Sequence, residues 1–339
     1  MSTKKDLLNL TTTGIEEKMF DVVCLGHALI DITVKVSNSY IDSLGYKKGS
    51  MNLVEEERQR HILSSLSSFD KLISPGGSSS NVASGVACLG GKSAFLGKIG
   101  FDKQGSFFEN SLSDKGVVPK LSKSPLCTGS TITFITADGE RTFSTHLGAA
   151  TSLNRDDLSC IPASKFFHVE AYLLENPALR NSIFNICKSL KEKNVKISFD
   201  LSDSSLIERI GDVILEFLSL VDVVFANIDE AEALTKKIGL DAAKKLNSLC
   251  DMSVVKKGSA GSLIVSKGKV IFVSCDAVKP VNTNGAGDAF AAGFLFALAN
   301  NHSLKKAGTI ASFIAREVVL ESGASLSKDL SYKIKKIHS

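Results

Sequence analysis

The sequence predicts an α/β fold: a mostly parallel sheet covered by helices on both faces, with a small second sheet standing off it. Three observations predict this. Apolar runs of strand length recur along the chain with helical stretches between them, the alternation that builds a parallel sheet covered on both sides. Two segments, Asp31–Val36 and Ile132–His146, instead alternate apolar with polar residues, and the second carries an Asp138-Gly139 turn, as a half-exposed hairpin does. The chain has 339 residues, 43% hydrophobic and 22% charged, which supplies a sizeable globular core.

In chain order, Phe20–Gly26 reads as the first buried strand and Asp31–Val36 as a half-exposed one. Asn52–Leu66 has helical character. Pro75-Gly76-Gly77-Ser-Ser-Ser-Asn81 reads as a flexible loop feeding a small-residue helix that ends at Gly90-Gly91. Strands are expected at Ser93–Ile99, Ser130–Thr136, Lys165–Glu170, Val195–Asp200, Val221–Ala226, Met252–Lys256 and Gly261–Ser266. Helices are expected at Pro177–Lys193, Ser205–Leu218 and Asp229–Lys237. Residues 1–19 read as a flexible polar extension and 20–339 as one domain, with lid segments near 31–50 and 128–147.

Bulk composition excludes several classes. The net charge is +4 and the excess is spread along the chain, so a nucleic-acid partner is not indicated. The longest apolar stretch, Ala289–Ala299, falls short of the roughly 20 residues that cross a bilayer. The N-terminus lacks the apolar segment of a secretory signal. Seven cysteines, an odd number without a C-x-x-C pair, read as reduced and mostly buried thiols of a cytoplasmic protein.

The most informative stretch is Asn282-Thr-Asn-Gly-Ala-Gly-Asp288, followed by the apolar run that begins at Ala289. Gly285, Ala286 and Gly287 are small enough for a ligand to approach the backbone, and the turn opens a buried helix. Free N–H groups and the helix dipole at such an opening attract an anion. Asp288, in the first turn, is placed to deprotonate an attacking hydroxyl; Asp is equally a favoured helix cap, and the segment alone does not choose. Two other phosphate motifs fail. Gly85–Ser93 misses the P-loop spacing by one residue, and there a helix precedes the glycines where the motif needs a strand. Gly285 and Gly287 are followed by Phe290 where a dinucleotide fingerprint needs glycine, which argues against a nicotinamide dehydrogenase.

The turn at Asn282–Asp288 resembles the second signature of the ribokinase/PfkB carbohydrate-kinase family. Gly76-Gly77-Ser-Ser-Ser-Asn81, with Gly97 and Gly100 beyond it, resembles the first. Gly26-His-Ala-Leu-Ile-Asp31, Gly49–Leu53 and Thr283–Asp288 are most similar to the adenosine-kinase-like branch. The resemblance implies a ribokinase-like three-layer α/β/α domain with a small β-sheet lid. It implies ATP and Mg2+ as cofactors and a small sugar or nucleoside as acceptor, most closely the 5′ hydroxyl of adenosine or a related nucleoside. A sugar kinase, or a binding protein that lost the reaction, are the alternatives.

By the same resemblance Asp288 is the base, and the amides of Gly285, Ala286 and Gly287 form the anion hole. Asp31, Gly76, Gly77 and Asn81 hold the acceptor, and Arg141 approaches the phosphates from the lid. Asn227 and Glu230 organise magnesium through water, and Lys257 and Gly258 contact the nucleotide. Each has a plainer reading: Asn227 and Glu230 as a helix cap, Asp31 as a strand-start residue, Arg141 as a solvated charge, Lys257-Gly258 as a turn. Two residues depart from the family pattern. Asn282 replaces the usual Asp beside a monovalent-cation site, which puts activation by K+ in question. His27 stands where the adenosine-kinase pattern tends to have Asn and reads as a packed or pocket-lining residue. Monomer and lid-mediated homodimer both fit the resemblance.

Overall fold

The computed structural model of the chain describes residues 19–276, 278–320 and 330. The expected N-terminal extension therefore lies, except for Met19, outside the described residues. Fourteen strands are present among them: β1 Phe20–Leu25, β2 Leu29–Lys35, β3 Met51–Leu53, β4 Lys71–Gly76, β5 Ser93–Gly100, β6 Val118–Ser124 and β7 Thr128–Ile135, then β8 Arg141–Gly148, β9 Ser164–Glu170, β10 Lys196–Asp200, β11 Val223–Asn227, β12 Met252–Lys256, β13 Ser262–Ser266 and β14 Lys269–Val273.

Nine strands form the main sheet in the order β14-β13-β12-β11-β10-β9-β1-β5-β6, and five form the small one in the order β3-β8-β7-β2-β4. In the main sheet only β13 and β14 run antiparallel to their neighbours. The parallel strands are apolar on both sides because both faces are covered. In β1, Val22 and Cys24 join one core, and Val23 and Leu25 the other. Helices Ser78–Cys88, Ala286–Ala299 and Leu304–Val319 cover the first face; Pro177–Glu192, Ser204–Phe217 and Gly239–Asn247 cover the second.

Several expectations need correction. Asn52 and Leu53 belong to β3, and the helix expected from Asn52 begins at Glu56. Pro75 and Gly76 end strand β4 and Ser78–Asn81 lie inside a helix, so the expected loop contracts to Gly77. Pro75 is tolerated because β4 is an edge strand, where a missing N–H leaves no gap in the ladder. The small sheet thus draws on 51–53 and 71–76 as well as the two expected segments. None of the seven cysteines is in a disulfide, and only Cys24, Cys88 and Cys187 are buried; Cys160 is exposed and the others intermediate.

Helices Ser78–Cys88 and Ala286–Ala299, which carry the two glycine-rich segments, cross at a glycine. A Cβ on Gly85 would lie 2.5 Å from the Ala292 methyl carbon. Gly85→Ala is expected to lower stability by about 1–3 kcal/mol through overpacking, read as a lower urea midpoint at unchanged slope.

Candidate active site

Four adjacent parallel strands end in a polar residue. Glu170 closes β9, Asp200 closes β10, Asn227 closes β11 and Lys256 closes β12. Register places Glu170 beside Asp200 and Asn227 beside Lys256. Carboxyl ends of parallel strands are where an open α/β sheet offers its ligand crevice. Lys256 Nζ lies 3.0 Å from the Asp200 carboxylate, with the two side chains 15% and 6% exposed. Glu170, 1% exposed, accepts the His27 N–H at 2.8 Å and the Ser79 N–H at 2.9 Å. One buried carboxylate thereby ties the β1–β2 turn to the start of helix Ser78–Cys88.

The glycine turn faces this row. Gly285 caps helix Ala286–Ala299 with φ +74°, a conformation that favours glycine. The N–H groups of Gly285 and Gly287 meet no acceptor among the described residues. A Cβ on Gly287 would lie 3.1 Å from Lys256 Nζ, so the ammonium sits directly against the turn. The Asp288 carboxylate accepts from Ser78 Oγ at 2.7 Å and from Asn81 Nδ2 at 2.9 Å. Each oxygen keeps a lone pair for a further donor.

Two cavities meet at this carboxylate. The first, ≈ 840 Å³, is walled by Gly285, Ala286, Gly287, Asn227, Glu230 and Lys256, among others. The second, ≈ 710 Å³, is walled by Asp31, Gly77, Asn81, Thr131 and the apolar side chains of Leu53 and Phe143, among others. Asn284, Gly285, Ser78, Tyr172 and Asp288 line both.

The electrostatics follow from enclosure. Burial pushes Asp288 up to about 6, with the Asn81 and Ser78 hydrogen bonds holding it lower than burial alone would. Burial, aided by the Asp288 charge, pushes Asp31 up to about 7. Burial also raises Glu230, opposed by the Lys256 charge. For Lys256 burial works to lower the pKa, but Asp200, Glu230 and Asp288 outweigh it and the ammonium is held. His27 is lowered to about 4 by burial, so it is neutral at pH 7.

The sequence profile of pfkB family carbohydrate kinases matches residues 19–330. This chain belongs to the pfkB family. It is 31% identical to a fructokinase of Vibrio alginolyticus over 252 residues, 71% of this chain and 81% of that protein. A probable sugar kinase of Rhizobium etli superposes with a TM-score of 0.88 at 29% identity, covering 94% of this chain and 98% of the other. The adenosine kinase of Sinorhizobium meliloti superposes with a TM-score of 0.86 at 30% identity, covering 94% and 99%. The pfkB chain is therefore a carbohydrate or nucleoside kinase, with the ribokinase-like fold of those neighbours.

Most of the expected site residues of this pfkB kinase converge. Asp288 and Gly285 stand at the junction, Ala286, Gly287, Asn227, Glu230 and Gly258 on the first cavity, and Asp31, Gly77 and Asn81 on the second. Asn227 and Glu230 also form a reciprocal capping box, so the plainer reading of this pair describes their contacts with each other. Three residues stand elsewhere. Gly76 backs Asp31, since a Cβ there would fall 2.1 Å from the Asp31 carboxylate. Lys257 is absent from the lining, and its neighbour Lys256 is there instead. Arg141 lines neither cavity; it reaches across from β8 to Thr283 Oγ1 at 2.7 Å and Asn284 Oδ1 at 3.0 Å and braces the turn. Asn282 is buried, and its Oδ1 accepts the Asn284 N–H at 2.9 Å.

Sequence reasoning missed Glu170, Asp200, Lys256 and Ser78. The first three shared a signal: a charged residue ends an otherwise apolar parallel strand, at the edge where the crevice opens. Ser78 offered none beyond its place in a serine run.

Proposed function

We propose that this kinase transfers the γ-phosphate of Mg-ATP to the 5′ hydroxyl of adenosine or a related nucleoside. The observation that carries the reading is the junction: one carboxylate and one free-amide turn lie on the wall between two cavities, each large enough for a nucleotide or nucleoside. The nucleotide occupies the first cavity with its terminal phosphate at the Gly285–Gly287 amides. The acceptor occupies the second, with its hydroxyl at Asp288. Asp288 takes the hydroxyl proton as the oxygen forms its bond to phosphorus, and the bond from phosphorus to the departing ADP oxygen breaks. Lys256, behind the turn, offsets the negative charge gathered there.

The residues fit magnesium. Asn227 and Glu230 bring amide and carboxylate oxygens to the first cavity, the donors magnesium takes. Both Glu230 oxygens already accept from Asn227, which suits contact through water. Magnesium, when bound, supplies charge neutralisation to the phosphates. Arg141, bridging from the small sheet to the turn, fits that sheet acting as a lid that excludes water.

The nucleoside reading draws support from the apolar side chains of Met51, Leu53, Phe143 and Leu147 on the second cavity, which suit a planar base. The adenosine kinase relative agrees with it. A sugar acceptor is the second reading, favoured by the charged residues Asp203 and Arg209 on the same cavity. ADP formation measured with adenosine, other ribonucleosides, ribose and fructose separates them. The expected result is a nucleoside kcat/KM at least about tenfold above any sugar's, equivalent to about 1.4 kcal/mol of transition-state preference. Brisk turnover of sugars with none of nucleosides would select the second reading.

A further inference from the structure

Away from the two cavities, three metal-ligating side chains converge. A carboxylate oxygen of Glu56, the Cys127 thiol and a ring nitrogen of His146 all lie within 4.8 Å of one another. They come from three separate segments: Glu56 opens helix Glu56–Ser65, Cys127 directly precedes β7, and His146 stands on β8. The His146 ring is oriented. Its Nδ1 lies 3.1 Å from the Val54 carbonyl oxygen and donates there, which leaves Nε2 with a lone pair, 3.6 Å from Cys127 Sγ. A ring N–H committed to a backbone carbonyl, with the other nitrogen directed at further ligands, is how metal-binding histidines are held. The cysteine is fixed as well, since the Ala149 N–H donates to its carbonyl at 2.7 Å.

We propose that Glu56, Cys127 and His146 form a zinc-binding site. One sulfur, one nitrogen and one oxygen supply three tetrahedral positions, and water takes the fourth. On binding, the Cys127 S–H proton passes to solvent and the thiolate coordinates the ion. The set is too soft for magnesium, so the site is separate in chemistry as well as place from the nucleotide's cation. Arg60 pairs with Glu56 on the exposed helix face, a contact weak enough for a metal to displace. The ion would clamp the start of helix Glu56–Ser65, just after the Met51 and Leu53 that wall the second cavity, onto the β7–β8 hairpin.

The test uses the full chain, reduced and stripped of metal, titrated with Zn2+ against a chromogenic chelator and separately with Co2+. One equivalent of zinc is expected, and cobalt should show a thiolate charge-transfer band in the near ultraviolet. Cys127→Ser should abolish that band, and Cys127→Ser and His146→Gln should each weaken zinc binding by at least about tenfold. Glu56→Gln, at an exposed helix start that tolerates change, should weaken it too and covers the case in which the other variants fail to fold. Cys275→Ser, at a partly exposed thiol elsewhere, should bind as wild type. The absence of a stoichiometric site, a cobalt band that survives Cys127→Ser, or unaltered zinc binding by Glu56→Gln would overturn the assignment.

Discussion

Asp288→Asn is expected to lower kcat by about two to four orders of magnitude while ATP still binds, because the substitution removes the proton acceptor and leaves the amide turn in place. Single-turnover ADP formation together with nucleotide titration reads both quantities. The same variant should be at least as stable as wild type. The fold already disfavours a charge at this position, holding its carboxyl at about 6, and asparagine relieves that cost. A kcat near that of wild type would remove Asp288 from the role of base. The wild-type pH profile carries the same assignment. A base works ionised, and here its pKa is raised, so kcat/KM should fall as pH drops through about 6. Asp31, raised to about 7, should broaden that acid limb upward, since its ionised form is the one that accepts hydrogen bonds from acceptor hydroxyls.

Lys256→Met is expected to damage stability and rate together. The ammonium is mostly enclosed, 3.0 Å from Asp200 and close to Glu230 and Asp288. Removing it leaves an uncompensated cluster of carboxylates, and breaking a buried pair from one side costs about 3–5 kcal/mol. Chemical denaturation should show that loss. The double variant Lys256→Met/Asp200→Asn removes both charges and should recover much of the stability. It should not recover kcat, because the positive charge behind the Gly285–Gly287 turn stays missing. Full recovery of turnover in the double variant would show that Lys256 matters only to folding.

The parallel sheet and the glycine turn were legible in the sequence because their signals are local. Buried strands such as Val223–Asn227 are continuous apolar runs, and Gly285 must adopt a left-handed backbone before a helix of small residues can start. Edge elements were less legible. β6 contains Pro119 and alternating exposure, and β4 ends in Pro75-Gly76, so both resemble loops until a neighbour pairs with them. On the first cavity Lys256 stands in the lining and the expected Lys257 does not. Lys256 is the last residue of β12, paired with Asn227 at the end of β11, whereas Lys257 already lies in the turn beyond the strand, a boundary that the Lys256-Lys257 pair does not mark in the sequence. Glu170 and Asp200 lie far from either signature in sequence; only the order of the strands brings them together.

The second cavity takes Met51, Leu53 and Phe143 from the small sheet, whereas Asp288 stands in helix Ala286–Ala299 and Gly285 caps it. On the proposed reading, substitutions at those three positions would reshape the acceptor's surroundings without touching Asp288 or the Gly285–Gly287 turn.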